Sequence, residues 1–442
     1  MKLFFIISFI ILLINCSFDN KSGIWENENL PKKNVDNNIF NDFEKISIKD
    51  SLFNQTILPD TNLKLYIPEP SINNNWKDIF YNSKNNSINF SYENSNQVIL
   101  KSKRLSKNKV GNYKLYHNGN LIISDDKGSL IIFSTYENQI ISKFNFYKKK
   151  FKNIKKKLNI IVENDIIFVS DNLGYLYAFN YKQSKLIWAK NLKIPFSSNL
   201  KIIKEKLILA NQNNSLYFIN KNNGEVLKLL PTEESPIKNK FTNNLSSDGK
   251  NNLFFLNSFG SLYSIDLNKI TINWFNNLNQ SFDLSPSNLF EGNKLVSTDN
   301  QIIVSSNIKT YIIDTNTGSI IKRYNFSSRV KPIIINDILF FLSNNNFLIT
   351  LDLNTKKILY SFDLNELKDL ELSKNQKNIF KDMMILNNDI FIFLENSKIL
   401  KFNILGQFEN LQKLPSNIQT FPILIDSSIL YLNKKNKLII LN

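Results

Sequence analysis

The chain has 442 residues, 42% of them hydrophobic, and a formal net charge of +17. That length and apolar content suffice for a large core, and the positive charge is dispersed among abundant Lys, Asn, Ile and Phe rather than gathered into a nucleic-acid surface. One histidine, His117, and one cysteine, Cys16, exclude a Cys/His metal cluster and a Cys/His catalytic pair beyond the N-terminal region.

In chain order, Lys2 precedes an apolar stretch from Leu3 to Ile14 that is secretory in form and too short to span a bilayer. Cys16 follows almost at once. Leu13, Ile14, Asn15 and Cys16 resemble a bacterial lipobox, whose cysteine becomes the lipidated first residue of the mature chain. Ser17 is not the aspartate that holds lipoproteins in the inner membrane, so the resemblance implies the outer membrane, facing the periplasm. Residues 1–15 are therefore expected to be a lipoprotein signal peptide. Residues 16–72, polar and Asn-rich with Pro31, Pro59, Pro68 and Pro70, are expected to be a disordered tether.

From residue 73 to 442 the chain reads as a repeat array. Eight stretches share a short apolar run, a polar turn and a second apolar run closing on Asp, Asn or Ser: Leu121 to Ser134, Ile166 to Asn180, Leu207 to Asn220, Leu253 to Asp266, Ile302 to Asp314, Leu339 to Asp352, Ile390 to Asn403 and Ile429 to Asn442. Marking the residue four before each closing polar residue gives Leu130, Leu176, Leu216, Leu262, Thr310, Leu348, Ile399 and Leu438, a mean period of about 44 residues. Runs such as Leu253 to Leu256 do not alternate apolar with polar, so both faces of these strands are buried. The expectation is an all-β, eight-bladed propeller of four-stranded antiparallel blades.

One unit shows all four strands: Ile333 to Ile335, Ile338 to Leu342, Phe347 to Leu351 and Ile358 to Phe362. Pro195, Pro236, Pro286, Pro332 and Pro422 are placed at the start of innermost strands, where proline is tolerated. The chain stops after the third strand of unit eight, and Val98, Ile99 and Leu100 are the candidates to supply its missing outer strand. Trp188 and Trp274 recur at one phase of units two and four and are read as docking each blade to the next; Lys143, Lys228, Lys322 and Tyr360 stand at that phase elsewhere. His117, in a Tyr-His-Asn-Gly turn, is read as structural. Asp125 with Asp126 is read as a turn, and Lys148 to Lys157 as a solvated interblade loop.

The segments DNLGYLYAFN (171–180), NNSLYFINKNNGEVL (213–227) and IKTYIIDTNTGSII (308–321) are similar to pyrroloquinoline-quinone-type propeller repeats, in which a Gly turn precedes a Leu-Tyr-Ala-Leu-Asp strand, followed by Thr-Gly and Trp. With eight units, a lipobox, and Asn75-Trp76 at the start of the ring, the chain resembles the BamB family of outer-membrane β-barrel assembly lipoproteins. That resemblance implies a non-catalytic scaffold without cofactor or metal, aiding the folding and insertion of outer-membrane proteins. Its implied partner is a BamA-like barrel-inserting protein, bound through its POTRA domains by loops after the third and fourth blades. The matching residues here are Leu229, Leu230, Thr232, Glu233, Glu234 and Asp283, with Pro231 where the family has an arginine. Two other readings are a degenerate quinoprotein dehydrogenase, against which stands the lack of vicinal cysteines, and a glycan- or peptidoglycan-binding propeller.

Overall fold

The computed structural model describes residues 53–147, 150–233, 242–279, 294–306, 308–367 and 380–442, together with the backbone of two short strands, Cys16–Phe18 and Trp25–Asn27. The chain divides into two units, 1–51 and 52–442. In the first, the two short strands pair antiparallel with Cys16 opposite Asn27.

The second unit is an eight-bladed propeller. Blades 1 to 7 span residues 115–145, 158–191, 201–230, 244–277, 296–324, 333–363 and 380–413, each a four-stranded antiparallel meander. Blade 8 takes three strands from 423–441 and its outermost from Val98–Arg104, where Leu100 lies opposite Ile440. The N-terminal strand therefore closes the ring at the expected place.

The unbroken apolar runs divide between two neighbours. In the second strand of blade 4, Leu253 and Phe255 pack towards blade 3 while Phe254 and Leu256 pack towards blade 5. Every hydrophobic cluster joins consecutive blades, and the largest joins blades 7, 8 and 1. Each fully buried Phe or Leu contributes about 1.5–3 kcal/mol, realised only when the neighbouring blade is present.

Polar residues bracket the hairpins because they fold the turns. At the end of strand two, Asp171 Oδ1 accepts from the backbone N–H groups of Leu173 and Tyr175, at 2.8 and 2.9 Å. Asp125, Asn211, Asn257 and Asn433 do the same in blades 1, 3, 4 and 8. The residues closing strand three, among them Asn220, Asp266, Asp314 and Asp352, cap the following turn in the same manner. Six of the eight phase marks pair with the last residue of strand two in their own blade, from Leu130 opposite Ser124 to Leu438 opposite Leu432, and the other two, Leu176 and Ile399, pair with the residue just before it, Ser170 and Phe393.

Three expectations shift. Residues 53–72, assigned to the tether on composition, lie along the ring. Phe53 packs edge-on against Phe326 and Phe347, and Ile57 exchanges backbone hydrogen bonds with Ser361 on the outer strand of blade 6. A few apolar residues suffice because the blades supply the partner surface. Pro332 and Pro422 directly precede innermost strands, but Pro195 precedes an isolated bridge, Phe196 with Asn211, rather than the strand at 201–203. Pro236 and Pro286 lie outside the described residues. Within the lysine-rich loop, Lys156 is buried, its ammonium 5.2 Å from the centre of the Tyr147 ring.

Residues 73–93 form a strap that starts on blade 8, where Asn73 Nδ2 donates to Leu424 O, and then passes from blade 1 round to blade 8 along the inner side of the blades. Trp76 pairs with Tyr116 of blade 1, and Lys77 O accepts from Val162 N–H of blade 2. Lys201 of blade 3 reaches Asp78 and Asn85. Ser83 O and Lys84 O accept from Ser247 and Ser297 in blades 4 and 5. Asn86 exchanges hydrogen bonds with Ile334 of blade 6, Asn89–Phe90 runs parallel to the first strand of blade 7, and Glu93 N–H donates to Ser427 O of blade 8.

Candidate partner-binding surface

The outer strands of blades 3 and 4 are Val226–Leu230 and Thr271–Asn277. Leu229 and Phe275 occupy the same register position, opposite Tyr217 and Tyr263, and are 44% and 65% exposed. Blades 1, 2, 5 and 6 carry Lys143, Ala189, Arg323 and Ser361 there. Two adjacent blades thus present large apolar side chains where these four neighbours do not.

The two positions are joined by the chain leaving blade 3. Leu230 turns inward against the core between blades 3 and 4. Thr232 Oγ1 donates to Asn214 O at 2.7 Å. The Glu233 carboxylate accepts from Tyr263 OH at 2.5 Å, Asn257 Nδ2 at 2.7 Å and Ser261 Oγ at 2.8 Å, and the Tyr263 ring stacks on Phe275 with centroids 5.8 Å apart. Burial alone would raise the Glu233 carboxyl, but these donors together outweigh it and hold the group below the ordinary carboxylate range. Of the residues inferred by family resemblance, Leu229 faces solvent and Glu233 holds the loop against blade 4. Glu234 and Asp283 lie outside the described residues. Sequence reasoning passed over Phe275, although its register relative to Leu229 was legible from Trp274 beside it.

Blade-to-blade contact recurs at the residue after the bulge in strand four. Trp188 Nε1 donates to Lys221 O and Trp274 Nε1 to Thr315 O, each at 3.0 Å, and Tyr360 OH donates to Ile404 O at 2.6 Å. All three acceptors lie in the strand three-to-four turn of the next blade, and each ring covers a left-handed glycine there: Gly224, Gly318 and Gly406. Lys228 Nζ reaches Ile270 O in blade 4. In blade 1 the equivalent register, opposite Ile132, holds Ser142 and not Lys143; Ser142 shares a hydrogen bond with Ser184. In blade 5 Tyr324, two residues beyond Lys322, makes the equivalent bond to Lys356 O.

The ring axis is narrow. A cavity of about 20 Å3, bounded by strap residues including Trp76 and Phe80 and by Lys114, Lys294, Lys331 and Asp382, has room for about one water. Between blades 1 and 2 a pocket of about 280 Å3 includes Lys109, Asp125 and Lys157 in its wall. His117 is buried and hydrogen-bonded through Nδ1 to Tyr181 OH of blade 2 at 3.0 Å. Among the described residues no group of His, Cys, Asp and Glu side chains is placed to hold a metal ion, and no helix is long and apolar enough to cross a membrane.

No curated protein matches the sequence. Among solved structures, BamB from Moraxella catarrhalis superposes with a TM-score of 0.61 at 12% identity, over 78% of this chain and 99% of that one. A quinohemoprotein alcohol dehydrogenase from Comamonas testosteroni gives 0.57 at 10% identity, over 80% and 76%. A europium-containing methanol dehydrogenase gives 0.57 at 10%, over 83% and 88%. These likenesses establish the fold. A quinone cofactor of the dehydrogenase kind does not fit the axis, because ligand pockets run to several hundred Å3 and the strap fills the space down to about 20 Å3. The family model described as outer membrane protein assembly factor BamB matches residues 126–362, more than half of the sequence. On that match and the eight-bladed ring, the chain belongs to the BamB family of pyrroloquinoline-quinone-type propellers.

Proposed function

We propose that this protein is a non-catalytic scaffold of outer-membrane β-barrel assembly, tethered to the periplasmic face of the outer membrane through a lipid on Cys16. Its partner is a BamA-like barrel-inserting protein, engaged through POTRA domains at the outer edge of blades 3 and 4. The observation that carries this reading is the pairing of exposed Leu229 and Phe275 on adjacent blades of a BamB-family ring. An apolar centre flanked by polar loops is the anatomy of a protein interface. Glu233 contributes by fixing the loop that borders Leu229, so the surface is formed before the partner arrives. Glu234 and Asp283 are proposed as polar rim contacts.

The test is affinity capture of the full-length protein from detergent-solubilised outer membranes. Leu229→Asp with Phe275→Asp is expected to abolish co-purification of the barrel-inserting subunit while leaving the folded ring intact by circular dichroism. Cys16→Ala is expected to release the protein into the soluble periplasmic fraction. Retention of the partner by the double variant would overturn the assigned surface, and failure of the unaltered protein to capture any such partner would overturn the role.

A further inference from the structure

Among the described residues, the axial cavity is lined by more ammonium groups than carboxylates. Lys114, Lys294 and Lys331 line it together with a single carboxylate, Asp382. Lys331 Nζ donates to Ser87 Oγ at 2.7 Å, and Lys114 Nζ donates to Thr420 Oγ1 at 3.1 Å and to Phe421 O. Lys294 Nζ makes no hydrogen bond to the described residues; it sits 4.4 Å from the centre of the Phe421 ring, with the Phe80 and Tyr113 rings at 5.6 and 6.0 Å. The ammonium groups therefore keep donors to spare. Asp382 Oδ1 already accepts from Met383 N–H.

Among the described residues, two nearby carboxylates are committed elsewhere. Asp78 is held by Lys201 at 2.6 Å, and Glu395 lies 3.6 Å from Lys381, whose ammonium faces the Phe421 ring at 4.9 Å. Burial lowers the pKa of all three lysines, Lys114 furthest and Lys331 to about 8, with Asp382 opposing the effect in each; Lys331 thus remains largely charged at neutral pH, and an anion beside the three would raise them all. A water molecule accepts hydrogen bonds but supplies no charge, and leaving cations uncompensated in a buried site is costly.

We propose that the axis of the ring is a binding site for one monatomic halide ion, held between Lys294, Lys331 and Lys114 opposite Asp382. The cavity volume selects the class: about 20 Å3 admits a single particle of water or halide size and leaves no room for a tetrahedral oxyanion. Asp382 stops the site from being a pure cation cluster, its charge offsetting part of that of Lys294, Lys331 and Lys114. The aromatic rings around Lys294 hold its ammonium in place without using up its hydrogen-bond donors.

The experiment uses bromide as the probe on the full chain. Crystals equilibrated in sodium bromide are expected to show an anomalous peak at the ring axis in contact with Lys294 and Lys331 Nζ. In solution, the melting temperature is expected to rise and saturate as bromide replaces gluconate at constant ionic strength. Lys294→Met and Lys331→Met, which keep the side-chain length, are each expected to weaken that response by about tenfold or more. Bromide peaks confined to the outer surface, or an equal response in unaltered protein and both variants, would overturn the site. Should a variant fail to fold, the diffraction result on the unaltered chain decides alone.

Discussion

Trp274 and Gly318 form a lock between blades 4 and 5. The indole N–H bonds Thr315 O, and a Cβ added at Gly318, where φ is +72°, would lie 2.4 Å from the indole ring. Trp274→Ala is expected to cost about 2 kcal/mol, below the value for a fully buried ring because the side chain is half-exposed. Gly318→Ala should cost more than the ~1 kcal/mol of its backbone strain, since the ring must move as well. In the double variant the clash disappears, so urea unfolding should show less than the sum of the two. Asp171 offers a different test. Burial pushes its carboxyl up to about 6 despite hydrogen bonds from Tyr175, Leu173 and Gly174. A carboxyl with a raised folded pKa gives a contribution fully present below its unfolded value near 4 and lost as pH rises through about 6. Stability should therefore fall over that window by an amount on the order of 1–3 kcal/mol. Asp171→Asn should remove this dependence while keeping the turn, as Asn211, Asn257 and Asn433 already do in blades 3, 4 and 8.

At the scale of elements, the blades and the strap differ in how plainly the sequence announces them. Hairpins were legible because each is local: the apolar runs and the turn-forming Asp, Asn and Ser lie within about 15 residues, and the same chemistry recurs eight times. The closing strand was legible because a blade lacking its outer strand demands one. The strap was not legible, since its Asn and Ser side chains bond to groups as distant as Ile334 and Asn388, 248 and 299 residues away, with no period to betray them. Phe53 and Ile57 escaped notice for the same reason. The blade 3 and 4 surface was legible only in part: Leu229 came from family resemblance, whereas Phe275 emerges only when registers are compared. The strap's anchor gives a clear measurement. Lys201 and Asp78 are both buried and 2.6 Å apart, so Asp78→Asn leaves a buried ammonium without its counter-charge. Denaturant unfolding should show a loss of about 3 kcal/mol. Asp299→Asn, which removes the partially exposed partner of Lys84 and Lys250, should cost under about 1 kcal/mol in the same assay.

For the whole molecule, ring closure and the strap make residues 73–104 indispensable for folding of the ring. A chain starting at Phe53 is expected to retain the full far-ultraviolet dichroism and a single cooperative transition. One starting at Leu105 lacks both the strap and the outer strand of blade 8, and is expected to aggregate or melt without a sharp midpoint. The strap also imposes an order of events. It leaves the ribosome ahead of all eight blades, yet its last docking place, Ser427 for Glu93, is made more than 330 residues later. The earliest part of the ring must therefore wait, unsatisfied, until the innermost strands of all eight blades have been synthesised. A prematurely released product would have its clasp without a buckle, and proteases that act on loose chains would find it far more readily than the finished protein.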